Sequence, residues 1–364
     1  MDAPFPFGFP LPTAVYLTLF VGTWVLHVLF MHYVLGGSLY LAGRTLIHGN
    51  RAEQSAPAAL LRDWLPFLLS AAITAGIAPL LFAQVVYQHR FYTANLLLFY
   101  RWLAILPALL IAFYMLYLLK ARAAVLQRTA FRVIAKLTIC ACVLYVAWLW
   151  TMNHLLSLQG MDVWTRQYAA GTVAYRTSEL LPRLGLWLVS ALPTLAVWLA
   201  WQSWLSIDSE SDRPLGFTAA DVRQIATVAL VSLVLMCVLA VVYGQGLPAE
   251  VRAVVTGRLA GGFLLAGSGG AALQVGVWIS LRLRPQLTSL KLWLLTVGLA
   301  ATLVGIGVCR EAIRLARVDI TDLYDAHEAA LAISGKGVFA FVLLLNTALM
   351  LWCVRIVAHR RERS

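Results

Sequence analysis

The chain alternates between long apolar runs and short polar or basic breaks. Nine runs are long enough for a helix of ~20 apolar residues to cross a bilayer: 13–43, 62–88, 94–120, 133–157, 181–205, 220–244, 252–281, 289–313 and 335–357. The breaks are short, so neighbouring helices are expected to run antiparallel in one bundle. The longest connections are 158–180, 206–219 and 314–334. There is no internal repeat, no low-complexity tract and no soluble domain. The expectation is an all-α, polytopic helix bundle forming a single transmembrane domain over 1–364.

Composition agrees. Of 364 residues, 61% are hydrophobic and 12% charged, with mean hydropathy +0.81. Soluble domains are nearer half apolar and a quarter charged. The net charge of +12 does not point to nucleic acid, because the basic residues sit in short loops and the tail, where they orient helices and meet anionic lipid. With the N-terminus outside, the inner loops and tail hold seventeen of the 28 Lys and Arg. That bias predicts N-out, C-in, which an odd number of spans requires. The opening MDAPFPFGFPLP has no basic region and no cleavage site, so the first helix is expected to act as its own targeting signal. Cys140, Cys142, Cys237, Cys309 and Cys353 read as small apolar residues rather than a disulfide framework, and no C-x-x-C-H attaches a c-type haem. The 13 Trp and 13 Tyr read mainly as interfacial belts, with Trp102, Trp150 and Trp187 as packing residues or cofactor neighbours.

The chemistry concentrates on histidine. HVLFMHYVLGG, 27–37, places His27 and His32 inside the first apolar run. Imidazole in a membrane serves as a haem or metal ligand, a proton relay or a hydrogen-bonded structural group. Five residues apart, the two rings point about 140° from each other, so they cannot ligate one iron. No two histidines have the 13- or 14-residue spacing that stacks two haems between helices in bis-histidine cytochromes b. His89, His154 and His327 fall at the predicted outer side, where a metal site would have to be assembled from separate segments; His48 and His359 fall with the inner basic loops. GRLAGGFLLAGSGG, 257–270, carries six glycines and reads as close helix packing.

The first helix, LHVLFMHYVLGGSLYLA (26–42), resembles that of subunit I of cytochrome bd quinol oxidases, in which a histidine followed by an apolar stretch and a glycine is an axial ligand of a haem on the outer side. His27 and Gly36 fall on those positions. FAQVVYQHRFY (82–92) resembles the outer end of that family's second helix. TMNHLLSLQG (151–160) resembles the stretch after its fourth, and CREAIRLARV (309–318) a late segment near the haems. The likeness is closest to smaller bd-like cytochrome b subunits that accompany periplasmic multihaem cytochromes.

The resemblance implies a haem b-containing electron-transfer subunit of a respiratory complex in a bacterial inner membrane. It would pass electrons between the quinone pool and a periplasmic c-type cytochrome, alongside other membrane subunits. It implies one haem b, or two, with His27 as iron ligand, His154 and His32 next, and Glu311 with Arg310 and Arg314 as a carboxylate–propionate site. Gln84, Tyr87 and His89 are candidates for a quinone headgroup. Two other readings stand beside it: a cofactor-poor structural anchor and a terminal quinol oxidase subunit.

The chain also departs from the oxidases. RLGLWLVS (183–190), where their fifth helix carries a haem histidine, has none. LAILPALLIAFYMLYLL (103–119) has no acidic pair. The quinol loop shrinks to YGQGLPAE (243–250). The chain is therefore not expected to be a self-sufficient oxidase, and Arg310, Arg314 and Arg317, beside the acidic segment 319–328, are expected to offer a docking face.

Overall fold

A computed structural model describes residues 3–49, 55–122, 128–171, 175–206 and 216–333, together with ten scattered positions between 335 and 352. Among the described residues the chain is helical, with no strand. The helices are α1 (Leu11–His48), α2 (Ala56–Leu98), α3 (Tyr100–Leu103), α4 (Ile105–Lys120), α5 (Thr129–Ser157), α6 (Met161–Ala170), α7 (Leu180–Ser206), α8 (Ala219–Gly246), α9 (Ala249–Thr256), α10 (Gly261–Leu283), α11 (Ser289–Leu315) and α12 (Tyr324–Ile333). Eight helical segments are long and apolar enough to cross a membrane, with α3 and α4 together forming one of them. The protein is a multi-pass membrane protein. The ninth expected span, 335–357, and the tail with His359 lie largely outside the described residues, as does Cys353.

Solvent logic is inverted at the surface, as a lipid environment requires. α8 turns Val231, Val234, Val238 and Val241 outward in one stripe, while Ser232, Gln274 and Thr302 are buried. Within α10 and α11, Gln274 donates to Thr302 Oγ1 at 3.1 Å. The two backbones approach so closely that a β-carbon on Gly270 would sit 2.5 Å from Gly298 O, which is the packing expected of the glycine-rich stretch. α1 is the centre of the bundle, packed on α2, α5, α7 and α11. Its Gly36 lies against α7, where a β-carbon would come within 2.7 Å of Ala191 O. The paired glycines of the first helix therefore serve helix crossing.

Three boundaries differ from expectation. The break expected after 88 is a kink: α2 passes through Gln88 at φ 26°, ψ −111° and continues to Leu98. The chain reverses instead at Phe99, φ 41°, and the next span begins at Tyr100. The run 252–281 is two helices, not one. The backbone opens at Gly257 (φ −81°, ψ −162°), leaving α9 too short to span and carrying Glu250 and Arg252.

The connection 158–180 folds α6 back onto the bundle, where Trp164 Nε1 donates to Leu156 O at 2.9 Å. The segment 319–328 forms a capped turn and α12. Asp319 accepts from the Thr321 backbone N–H at 3.0 Å, and that bond holds its carboxyl below the usual range. Cys140, Cys142, Cys237 and Cys309 are free thiols.

Candidate functional site

One end of the bundle gathers the ends of α2, α5, α8 and α11 and the start of α7 around a buried polar cluster. Its centre is Glu311, fully buried on α11. Glu311 accepts from Tyr87 Oη at 2.6 Å and from Arg310 Nη1 at 2.9 Å. Arg314, one turn on, lies 3.7 Å from the same carboxylate, the i,i+3 spacing that brings side chains together on a helix. Tyr87 faces inward because it immediately precedes the Gln88 kink, and Arg314 stacks on its ring at 4.1 Å.

His154, buried near the end of α5, receives Arg314 Nη2 at 2.6 Å and Arg310 Nη2 at 3.4 Å, both on Nδ1. The cluster extends sideways. Arg317 donates to Glu179 at 2.8 Å. Arg183 Nη1 donates to Tyr243 Oη at 2.8 Å, and Tyr243 lies 3.5 Å from Glu179 Oε2. Arg310 also stacks on Trp24 of α1 at 5.0 Å, one turn from His27.

His27 stands apart from this network. Its Nδ1 lies 3.0 Å from Ala72 O. A carbonyl only accepts, so Nδ1 carries the proton and Nε2 keeps its lone pair. Gly76, one turn along α2, makes room for the ring: a β-carbon there would lie 3.0 Å from His27 Cε1. His32 turns the other way, as the 140° separation predicts. Its Nδ1 lies 3.0 Å from Thr194 Oγ1 on α7, and that hydroxyl donates to Ser190 O. Both histidines thus bridge helices through Nδ1, one to α2 and one to α7.

A haem b needs an axial lone pair held in place by a bond on the ligand's other ring nitrogen. His27 meets that requirement. His154 does not in this arrangement. A guanidinium cannot accept, so Nδ1 must be the acceptor and Nε2 the N–H; an iron ligand would need the reverse.

The cluster joins Glu311, Arg310, Arg314, His154 and Tyr87. It adds Arg183, Tyr243, Glu179 and Arg317, which sequence reasoning left out of the site. Their signal was present, since Arg183, Arg317 and Glu179 border apolar runs where charge is costly. The expected headgroup trio separates: Tyr87 donates inward to Glu311, Gln84 is half-buried and His89 is exposed. Nor do His89, His154 and His327 converge, and no group of three or more His, Cys, Asp or Glu suited to a metal forms among the described residues. His327 is fully buried, with Nδ1 2.9 Å from Thr13 Oγ1.

The expected docking arginines are also turned inward, their side chains 13%, 7% and 13% exposed for Arg310, Arg314 and Arg317. Helix α11 presents its buried face to α1 and α7 there, so the exposed charges nearby are Asp319, Asp322, Asp325 and Glu328. Trp102 and Trp150 pack on each other at 4.8 Å, and Trp187 on Trp24 at 6.2 Å. The chain matches no protein-family model, no curated protein and no solved structure.

Proposed function

We propose that this chain is a haem b-carrying membrane subunit of a respiratory complex, similar to the bd-like cytochrome b subunits, with nine spans, its N-terminus outside and its C-terminus inside a bacterial inner membrane. The observation that carries this reading is the tautomer of His27. The Ala72 carbonyl accepts from Nδ1–H, the absence of a side chain at Gly76 lets the ring pack on α2, and Nε2 is left as a lone-pair donor within the membrane.

In this reading His27 ligates the iron, Arg310 and Arg314 face the propionates, and Glu311 orders both arginines from inside the bundle. The haem, when bound, supplies one-electron transfer. The chain's residues hold it, exclude water and set its potential through ligation and burial. Electrons would pass between membrane quinone and a periplasmic multihaem cytochrome. That partner would meet the exposed acidic segment 319–328 rather than the buried arginines. A quinone contact would draw on Gln84 and His89, since the Tyr87 hydroxyl is engaged by Glu311.

A second reading, a cofactor-poor structural subunit, is favoured by one observation: His27 and His32 each already bridge two helices. A pyridine haemochrome spectrum of the purified chain, with its haem-to-protein ratio, separates the two. About one haem b or more per chain supports the first; none supports the second.

A further inference from the structure

The cluster around His154 is short of negative charge. Arg183, Arg310, Arg314 and Arg317 bring four guanidinium groups; Glu179 and Glu311 bring two carboxylates. The other polar partners, Tyr87, Tyr243 and His154, are neutral in the bonds they make. Among the described residues, two positive charges of the cluster are left without a carboxylate partner, and an unpaired buried ion is costly.

The hydrogen bonds show the same deficit. Six buried nitrogen atoms of the cluster have no acceptor among the described residues: Arg310 Nε, Arg314 Nε and Nη1, Arg317 Nε and Nη2, and His154 Nε2. All are donors. The His154 proton is on Nε2 because Nδ1 accepts from Arg314 at 2.6 Å. His154 and Arg314 are themselves only 5% and 6% exposed, so bulk water does not relieve them. A neutral headgroup would satisfy some of these donors and none of the charge. A halide would neutralise one charge and leave most donors idle.

We propose that this cluster binds a ligand bearing two negative charges on oxygen, either a pair of carboxylates on one molecule or a single phosphate. His154 acts in it as an Nε2–H donor to the anion, not as an iron ligand. Arg314 has a double role: it fixes the His154 tautomer through Nη2 and offers Nε and Nη1 to the same ligand. The carboxylate source named by the haem reading is the propionate pair, and only that naming rests on the reading. The phosphate source would be a lipid headgroup or the free ion.

The test uses the purified full chain in detergent, in phosphate-free buffer. It is titrated with haem b and with haem b dimethyl ester, which keeps iron and ring and lacks both charges. Haem b is expected to bind at least about tenfold more tightly than the ester, since charge-assisted hydrogen bonds carry that much discrimination. His154→Leu should reduce the difference about tenfold, while His154→Gln, which can accept from Arg314 and donate with its amide, should restore it. Equal affinity for acid and ester rules out the propionates and leaves the haem reading intact, and the anion site then stands or falls on the comparison of inorganic phosphate with phosphatidic acid.

If neither porphyrin binds, the haem reading fails and inorganic phosphate, compared with vesicles of phosphatidic acid, decides the site. A rise in Tm with either, lost in Arg314→Met, supports the site and identifies its source. No rise with either overturns it.

Discussion

Arg314 Nη2 lies 2.6 Å from His154 Nδ1. That contact joins α11 to α5 across 160 residues of sequence and decides a protonation state. A guanidinium has no acceptor, so the imidazole must present its lone pair. Whatever the cluster holds therefore meets a donor at Nε2. The histidine that serves iron best is His27, whose proton is held at Nδ1 by a carbonyl of α2.

Replacing His27 with Ala should abolish the b-type absorbance of the purified chain and leave the bundle inserted, because the ring makes one hydrogen bond to Ala72 and packs on Gly76. Reduced-minus-oxidised spectra read the result. A full b-band in the variant would sink the iron assignment.

Glu311→Ala should be among the most damaging single changes. It leaves Arg310 and Arg314 buried beside no carboxylate and removes the acceptor for Tyr87. Breaking a buried ion pair from one side costs on the order of 3–5 kcal/mol. The yield of folded, detergent-soluble protein should fall sharply. Combining the change with Arg310→Met should recover part of the loss, and strict additivity of the two would argue against direct coupling.

A reporter placed near Asp162 should be active only outside the cytoplasm, and one fused after Ser364 only within it. The Lys and Arg bias of the loops predicts this. The opposite pattern would move the Glu311 cluster to the cytoplasmic face and exclude a periplasmic electron partner.

His327, on α12 outside the spans, should make the packing of α12 on α1 sensitive to acid. Burial lowers its pKa from 6.5, opposed by the nearby backbone of Val86 and Val85. The unfolded state then binds the proton more readily than the folded one. Stability is unaffected above about pH 6.5 and falls as pH drops from there towards the lowered value. The hydrogen-exchange protection of 324–333, corrected for the slower intrinsic exchange in acid, should fall between about pH 7 and pH 5, and His327→Gln should flatten that dependence. An unchanged profile in the variant would assign the pH response to other groups.

The eight spans within the described residues were legible in the sequence because crossing a bilayer is a local requirement. A helix must satisfy its own backbone and be apolar for about 20 residues, and both properties belong to one stretch of chain. The opposite headings of His27 and His32 were legible for the same reason, being fixed by 3.6 residues per turn. The family resemblance groups Glu311 with Arg310 and Arg314 but assigns the arginines to propionates; that both arginines also lie against Glu311 was decided by the packing.

The tertiary structure decided the rest. Gln88 bends α2 without a proline or glycine at that position, and the bend brings Tyr87 to Glu311 while His89 faces out. Arg183, Glu179, Tyr243 and His154 come to the arginines of α11 from separate helices, and hydropathy carries no record of which helices touch. Helical periodicity sets the relative headings along α1; whether a given heading meets lipid, a carbonyl or a guanidinium depends on the neighbour packed there. The same packing decides which nitrogen of His27, His32 or His154 keeps its proton.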